Sequence, residues 1–283
     1  MDRRRKFSTN KRRRPAAVLC ALLCAVLVSA CAGNQLAPPS ERSVQDLYNS
    51  AVDALEAEDY ATAARSFDEV ERQHPYSVWA TKAQLMAGFA HYSANNYDEA
   101  IIALNRFIQL HPGNRDVAYA YYLKALCYYE QISDVSRDQL NTERALDALQ
   151  DVIRRFPTSK YARDTKLKLD LTRDHLAGKE MDIGRYYLRR DNFLAAINRF
   201  RRVIDKFQTT THVPEALHRL AEAYTALGVL DEAQKAAAVL GHNYPGSEWY
   251  VDSYGLVAGI DVRKQNEKKK TRGMLARAWD WVF

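Results

Sequence analysis

The stretch Asn96–Pro112, NYDEAIIALNRFIQLHP, decides the fold. It opens on an asparagine turn, places an aromatic at Tyr97 and an alanine three residues on at Ala100, and stops at Pro112. Ile101, Leu104, Phe107, Ile108 and Leu110 recur mostly three and four residues apart, the spacing that puts apolar side chains on one face of a helix. Proline lacks the amide proton that a helix interior needs, so Pro112 closes the element. One such helix cannot bury its own stripe. It needs neighbours of the same kind.

The chain supplies them. Tyr60, Ala63, Phe67 and Pro75 stand in the same order as Tyr97, Ala100, Leu104 and Pro112. Further copies read Ala145/Leu149/Pro157, Phe193/Ala196/Phe200 and Leu230/Ala233/Leu240/Pro245. About twelve residues before most of these alanines stands a second small residue: Ala51, Gly88, Gly184 and Ala221, with Ala125 displaced by an insertion in the third copy. Small residues let two helices approach closely while large ones fill the space between units. The pattern resembles the tetratricopeptide repeat (TPR), a helix–turn–helix unit of about 34 residues. The expected fold is all-α, a TPR-type solenoid of five repeats and ten to eleven helices, with no strand pattern. Pro75 and Pro112 are 37 residues apart and Pro112 and Pro157 are 45 apart, which places the insertion in the third copy. The fourth copy has Gln208 where the others have proline. Lys160–Arg190 is long for one helix, and Gly178 and Gly184 allow a bend there, although Gly184 also fits the small-residue position.

Residues 1–30 read as a leader. Arg3–Lys6 and Lys11–Arg14 form a basic region, followed by the short apolar run Ala16–Val28 and by Val28-Ser29-Ala30-Cys31. The last four resemble a bacterial lipobox, in which the cysteine thiol takes a diacylglycerol and becomes the mature N-terminus. Ala32, rather than aspartate, follows Cys31, which in Gram-negative lipoproteins implies sorting to the outer membrane. Residues 31–43, with Pro38-Pro39, form a flexible lipidated tether. The leader carries eight of the 41 basic residues and one of the 35 acidic ones, so the mature chain is close to neutral and nucleic acid is not an expected partner. Cys20 and Cys24 leave with the leader, and Cys127 is expected to be a buried, inert thiol.

Beyond the solenoid, 259–283 is a basic, aromatic-ended tail. From residue 262 on it holds seven Lys and Arg against Glu267 and Asp280, and it closes on Trp279, Trp281 and Phe283. It reads as a flexible solvated extension, a contact with anionic lipid, or a segment that docks on an acidic partner. No metal-ligand, nucleophile or phosphate-loop motif stands in the chain, so no catalytic residue, metal or cofactor is expected beyond the lipid on Cys31. A solenoid of this kind offers a concave surface lined by the first helix of each pair. The residues expected there are Tyr48, Leu85, Phe89, Tyr92, Tyr119, Tyr122 and Tyr129, an aromatic trough suited to a peptide.

Several local sequences carry a closer resemblance. His74-Pro75-Tyr76-Ser77, the insertion Ser133-Asp134-Val135-Ser136-Arg137-Asp138-Gln139, Gly184-Arg185-Tyr186-Tyr187 and Ala195-Ala196-Ile197-Asn198-Arg199-Phe200 together resemble the BamD (ComL) family of outer-membrane assembly lipoproteins, over about 43–250. The basic tail has no counterpart in that pattern. The resemblance implies a non-enzymatic scaffold of the β-barrel assembly machine, on the periplasmic face of the outer membrane of a Gram-negative bacterium. Its C-terminal half (about 158–258) would dock on the POTRA domain of a BamA-like barrel protein, with Arg199 as a docking residue. Its N-terminal half (about 44–157) would engage the terminal signals of unfolded outer-membrane proteins. Other lipoproteins of the machine are implied partners. The alternative is a periplasmic TPR lipoprotein that coordinates cell-envelope or peptidoglycan enzymes. For the leader, metabolic labelling with a fatty acid is expected to mark the chain and to vanish in Cys31→Ser. Retained label in that variant excludes Cys31 as the acylated residue.

Overall fold

The structure, a computed structural model, describes residues 42–259. The leader, Cys31, most of the tether, and the tail from residue 260 lie outside the described residues. Eleven helices follow one another, with no strand among the described residues. They are α1 (Val44–Glu56), α2 (Tyr60–Gln73), α3 (Val78–Ser93), α4 (Tyr97–Leu110), α5 (Val117–Glu130), α6 (Leu140–Arg155), α7 (Ala162–Leu188), α8 (Phe193–Lys206), α9 (Val213–Ala226), α10 (Leu230–Asn243) and α11 (Glu248–Ala258). Ten of them form five antiparallel pairs, here the A and B helices of repeats one to five. The last, α11, packs on both α9 and α10.

The repeat skeleton read from sequence is the packing skeleton. Ala63, Ala100, Ala145, Ala196 and Ala233 are buried on the B helices, as are Phe67, Leu104, Leu149, Phe200 and Leu240. The small residues of the A helices face them. A Cβ added at Gly88 would lie 2.7 Å from Leu104 Cδ2, and one at Gly184 would lie 2.4 Å from Phe200 Cε1. Two helices reach this separation only where one of them contributes no side chain. Leu110 departs from expectation. It is 60% exposed, because the buried stripe of α4 runs through Ala100, Ile101, Leu104 and Phe107 and has turned away from the surface position of Leu110 by the last turn.

The turns have their own regularity. Between A and B helices the chain passes through one residue of positive φ: Glu58 (59°), Asn95 (61°), Asp191 (57°) and Gly228 (75°). Repeat three has none among the described residues, because residues 131–139 replace its tight turn. Each B helix ends on a residue with φ between −127° and −134°: His74, His111, Phe156, Phe207 and Tyr244. Three residues on, the amides of Ser77, Asn114, Ser159, Thr210 and Ser247 donate to the carbonyls of those five. Proline disfavours the helical region for the residue before it, which explains four of the five. Phe207 does the same before Gln208, held by its packing on the C-terminal core cluster.

Helix α7 runs unbroken for 27 residues, so Gly178 and Gly184 do not end it. Gly184 takes the small-residue position, and Gly178 lies beneath His212, whose Nε2 would be 3.3 Å from an added Cβ. In Gly184→Ala the methyl must displace the fully buried ring of Phe200. A loss of about 1–3 kcal/mol is expected, against a helix-propensity gain of about 1 kcal/mol. The urea midpoint should fall, while Gly113→Ala, with nothing within 4 Å of its added Cβ, should leave it nearly unchanged.

Candidate partner-binding surface

Successive A helices pack on one another (α1 with α3, α3 with α5, α5 with α7, α7 with α9, α9 with α11), whereas the backbones of successive B helices stand apart and those of repeats one and two meet through a side-chain ion pair, Arg106 with Glu71 at 2.9 Å. The A helices therefore form one continuous layer, and their free faces form one surface. All seven residues expected in the trough lie on these helices, and every one is half-buried.

Each is also tied into the packing beneath. The Tyr48 ring lies 5.5 Å from Phe67, edge-on, and 4.7 Å from Trp79. It braces the first two repeats, and burial raises its hydroxyl pKa. Leu85, Phe89, Tyr92, Tyr119 and Tyr122 pack against the cluster around Leu104, Leu123 and Cys127. Tyr129 packs against the next cluster, around Leu149 and Leu169. Burial pushes the hydroxyls of Tyr92 and Tyr119 up to about 12, so both are neutral donors across the physiological range. The thiol of Cys127 is buried and likewise pushed up to about 12 by desolvation, which makes it a poor nucleophile.

Tyr161, a residue the repeat pattern does not single out, organises the middle of this surface. Its ring stacks on Tyr122 at 4.9 Å and lies 5.4 Å from Tyr119. Tyr122 then donates to Asp164 Oδ2 at 2.6 Å, and Lys168 reaches the other oxygen at 3.0 Å. The Tyr122 bond is the largest cause holding the Asp164 carboxyl below its usual value. Lys168 also stands 5.6 Å above the ring of Tyr129. Aromatic side chains and alternating charges thus share one strip from repeat three into repeat four.

Farther along, the layer becomes a charge network. Arg185 pairs with Glu215 at 3.0 Å, and Arg219 reaches both Glu215 and Glu222 while lying over Trp249. Beneath it, His218 Nδ1 is 2.8 Å from Ser253 Oγ in a buried contact, and burial lowers the pKa of that histidine. Arg199 is on α8, a B helix, and already has a partner within the chain. Its guanidinium donates to Glu180 at 3.0 Å, and Arg202 donates to the other oxygen of Glu180 at 2.8 Å. Arg199 remains about one-third exposed, so its guanidinium is only partly covered by this pairing. No helix among the described residues is long and apolar enough to cross a membrane.

The family model described as "Outer membrane lipoprotein" (YfiO) matches residues 40–240. The chain belongs to this family. Its relatives include the "Outer membrane protein assembly factor BamD" of Caulobacter vibrioides, 51% identical over 260 residues, covering 91% of this chain and 85% of that protein. The protein of the same name from Rickettsia prowazekii is 52% identical over 214 residues, covering 76% and 85%. That from Neisseria meningitidis serogroup A is 32% identical over 222 residues, covering 75% and 83%. Among solved structures, the thermophilic TPR protein TTC0263 of Thermus thermophilus aligns over 76% of this chain and 100% of its own, at 19% identity and a TM-score of 0.35. The YfiO match spans the helical repeats, including the insertion, up to the end of α10 but for its last three residues.

Two substitutions separate bracing from surface. Tyr48→Ala is expected to cost about 2–4 kcal/mol in denaturant unfolding, since it opens the space between Phe67 and Trp79. Tyr122→Phe keeps the stack on Tyr161 and removes one bond to a partly exposed carboxylate, for about 0.5–1 kcal/mol. In that variant the Asp164 carboxyl, followed by NMR titration, should move up towards its ordinary value. A depressed carboxyl stabilises the fold above its unfolded pKa and loses that contribution as pH falls through its folded one, so the difference between the two proteins should shrink in acid.

Proposed function

We propose that this protein is a non-enzymatic scaffold that promotes the assembly of β-barrel proteins into the outer membrane, anchored there by a lipid on Cys31. The observation that carries this reading is the 51% identity over 91% of the chain with an outer membrane protein assembly factor. The repeat layer suits the role, because it offers an extended interaction surface built on rigid helix pairs. The mixed character of the A-helix surface supports a division of labour. Half-buried tyrosines of the first three repeats present apolar ring area with a polar tip, which fits an extended strand bearing alternate large side chains. The charged C-terminal half fits a folded, polar partner surface. The partners are a BamA-like barrel protein, through its POTRA domain, and the terminal signals of unfolded outer-membrane proteins. Arg199 is a docking residue for the first of these, presenting the part of its guanidinium that Glu180 leaves uncovered. Other lipoproteins of the machine complete the assembly.

Depletion of the protein in its own cell tests the role. Folded barrel proteins should fall in the outer membrane while unfolded forms accumulate in the periplasm. A gentle detergent extract should also yield a barrel protein with periplasmic POTRA domains bound to this chain. Barrels at normal abundance after depletion, together with co-purification of envelope-modifying enzymes instead, would sink the proposal.

A further inference from the structure

Where α5, the insertion and α7 meet, the surface carries two adjoining depressions of about 460 and about 520 Å3 that share Asp134, Leu171 and His175. Both include large apolar side chains among polar ones. Leu171, 52% exposed, stands where they join, with Tyr129 and Ile132 in one and Val135 in the other. Their rim carries four carboxylates, Glu130, Asp134, Asp174 and Asp182; Asp174 accepts from the amide and hydroxyl of Thr211 and lies 3.5 Å from His212, and the rim guanidinium, Arg185, is bound to Glu215. His175, which lines both, has a buried Nε2 with no hydrogen-bond partner among the described residues. The insertion is held against α7 to form this groove. Lys179 Nζ donates to the carbonyls of Ser136 and Arg137 at 3.0 and 3.2 Å. An exposed leucine enclosed by carboxylates fits an extended segment that carries both cations and large apolar side chains.

We propose that the occupant of this groove is the chain's own segment 264–283, KQNEKKKTRGMLARAWDWVF. That segment lies outside the described residues, and its chemistry is the complement of the groove. It holds six cationic side chains against Glu267 and Asp280, and the cluster Lys268-Lys269-Lys270 precedes the aromatics. Trp279, Trp281 and Phe283 are spaced two apart, so an extended backbone presents all three rings to one side. The lengths agree. Helix α9 packs against both α7 and α11, so about two helix spacings of 8–10 Å separate the groove's helix from the one that ends at Gly259. The residues from Gly259 to Lys268 span up to about 30 Å when extended. The lysines then meet the Asp134 and Asp182 side of the groove, and the rings meet Leu171, Ile132 and Tyr129. The docking stands whether or not the A-helix surface also takes client strands. If it does, the segment is an internal competitor in the middle of that surface.

The test is intramolecular photocrosslinking in the full-length chain. A photoreactive benzoylphenylalanine replaces the exposed Leu171, and adducts are mapped by mass spectrometry at low and high salt. Mixing with an isotope-labelled copy separates contacts within one molecule from contacts between two. Adducts are expected in 264–283 of the same molecule. They should fall roughly fivefold in Asp134→Asn/Asp182→Asn and at high salt. Because Asp134 Oδ1 also accepts from the Ser136 amide, a second variant leaves the body untouched: Lys268→Glu, Lys269→Glu and Lys270→Glu together should cause a similar loss. Adducts that avoid 264–283, that join only two copies, or that survive both charge changes overturn the proposal.

Discussion

The interlock of a bare backbone against a large side chain is the contact on which this solenoid depends. Leu104 lies where a side chain on Gly88 would stand, and Phe200 lies where one on Gly184 would stand. That contact sets the separation of the two helices in a pair, and with it the angle at which the next pair joins. Every later feature, from the continuous layer of A helices to the spacing of its aromatic side chains, inherits that geometry. Because protein interiors are close-packed, a misfit of one methyl group at such a point is not absorbed locally. It is passed to the neighbouring repeat.

The layer changes character along its length, and the change falls at the third repeat. On one side, rings share their area between the core and the surface, as Tyr48, Tyr92 and Tyr119 do. On the other, Arg185, Glu215, Arg219 and Glu222 form a run of ion pairs above the buried contact of His218 with Ser253. Tyr122, Tyr161, Asp164 and Lys168 sit at the junction and combine both kinds of contact. Partly exposed ion pairs contribute little to stability individually, so the C-terminal half draws its cohesion from the large cluster around Phe200 and Leu217.

The B helices were legible because their signals are local. An alanine and a large residue four or seven positions on lie within one helix, and all five copies bury both as read. The positive-φ residues were only half legible. Asn95 and Gly228 are types that tolerate that conformation, whereas Glu58 advertises nothing and is held there by the bonds around it. The ring positions were less legible still. Tyr122 depends on Tyr161 and Asp164, about forty residues away, and periodicity carries no trace of such a partner. Arg199 shows the same limit, since its pairing with Glu180 belongs to the preceding helix rather than to its own stretch of sequence.

Lys179 has a bearing on how the molecule comes apart. In a repeat array each unit touches only its neighbours, so fraying starts at an end and fracture falls at the weakest joint. The insertion would by itself make repeat three that joint, since it replaces the tight turn found in the other repeats. The lysine on α7 binds the backbone of that insertion across the boundary, and Tyr122 bonds Asp164 across the same boundary. Opening the third repeat therefore also strips contacts from the fourth. The middle of the array should melt as one block, leaving the two ends as the regions that breathe.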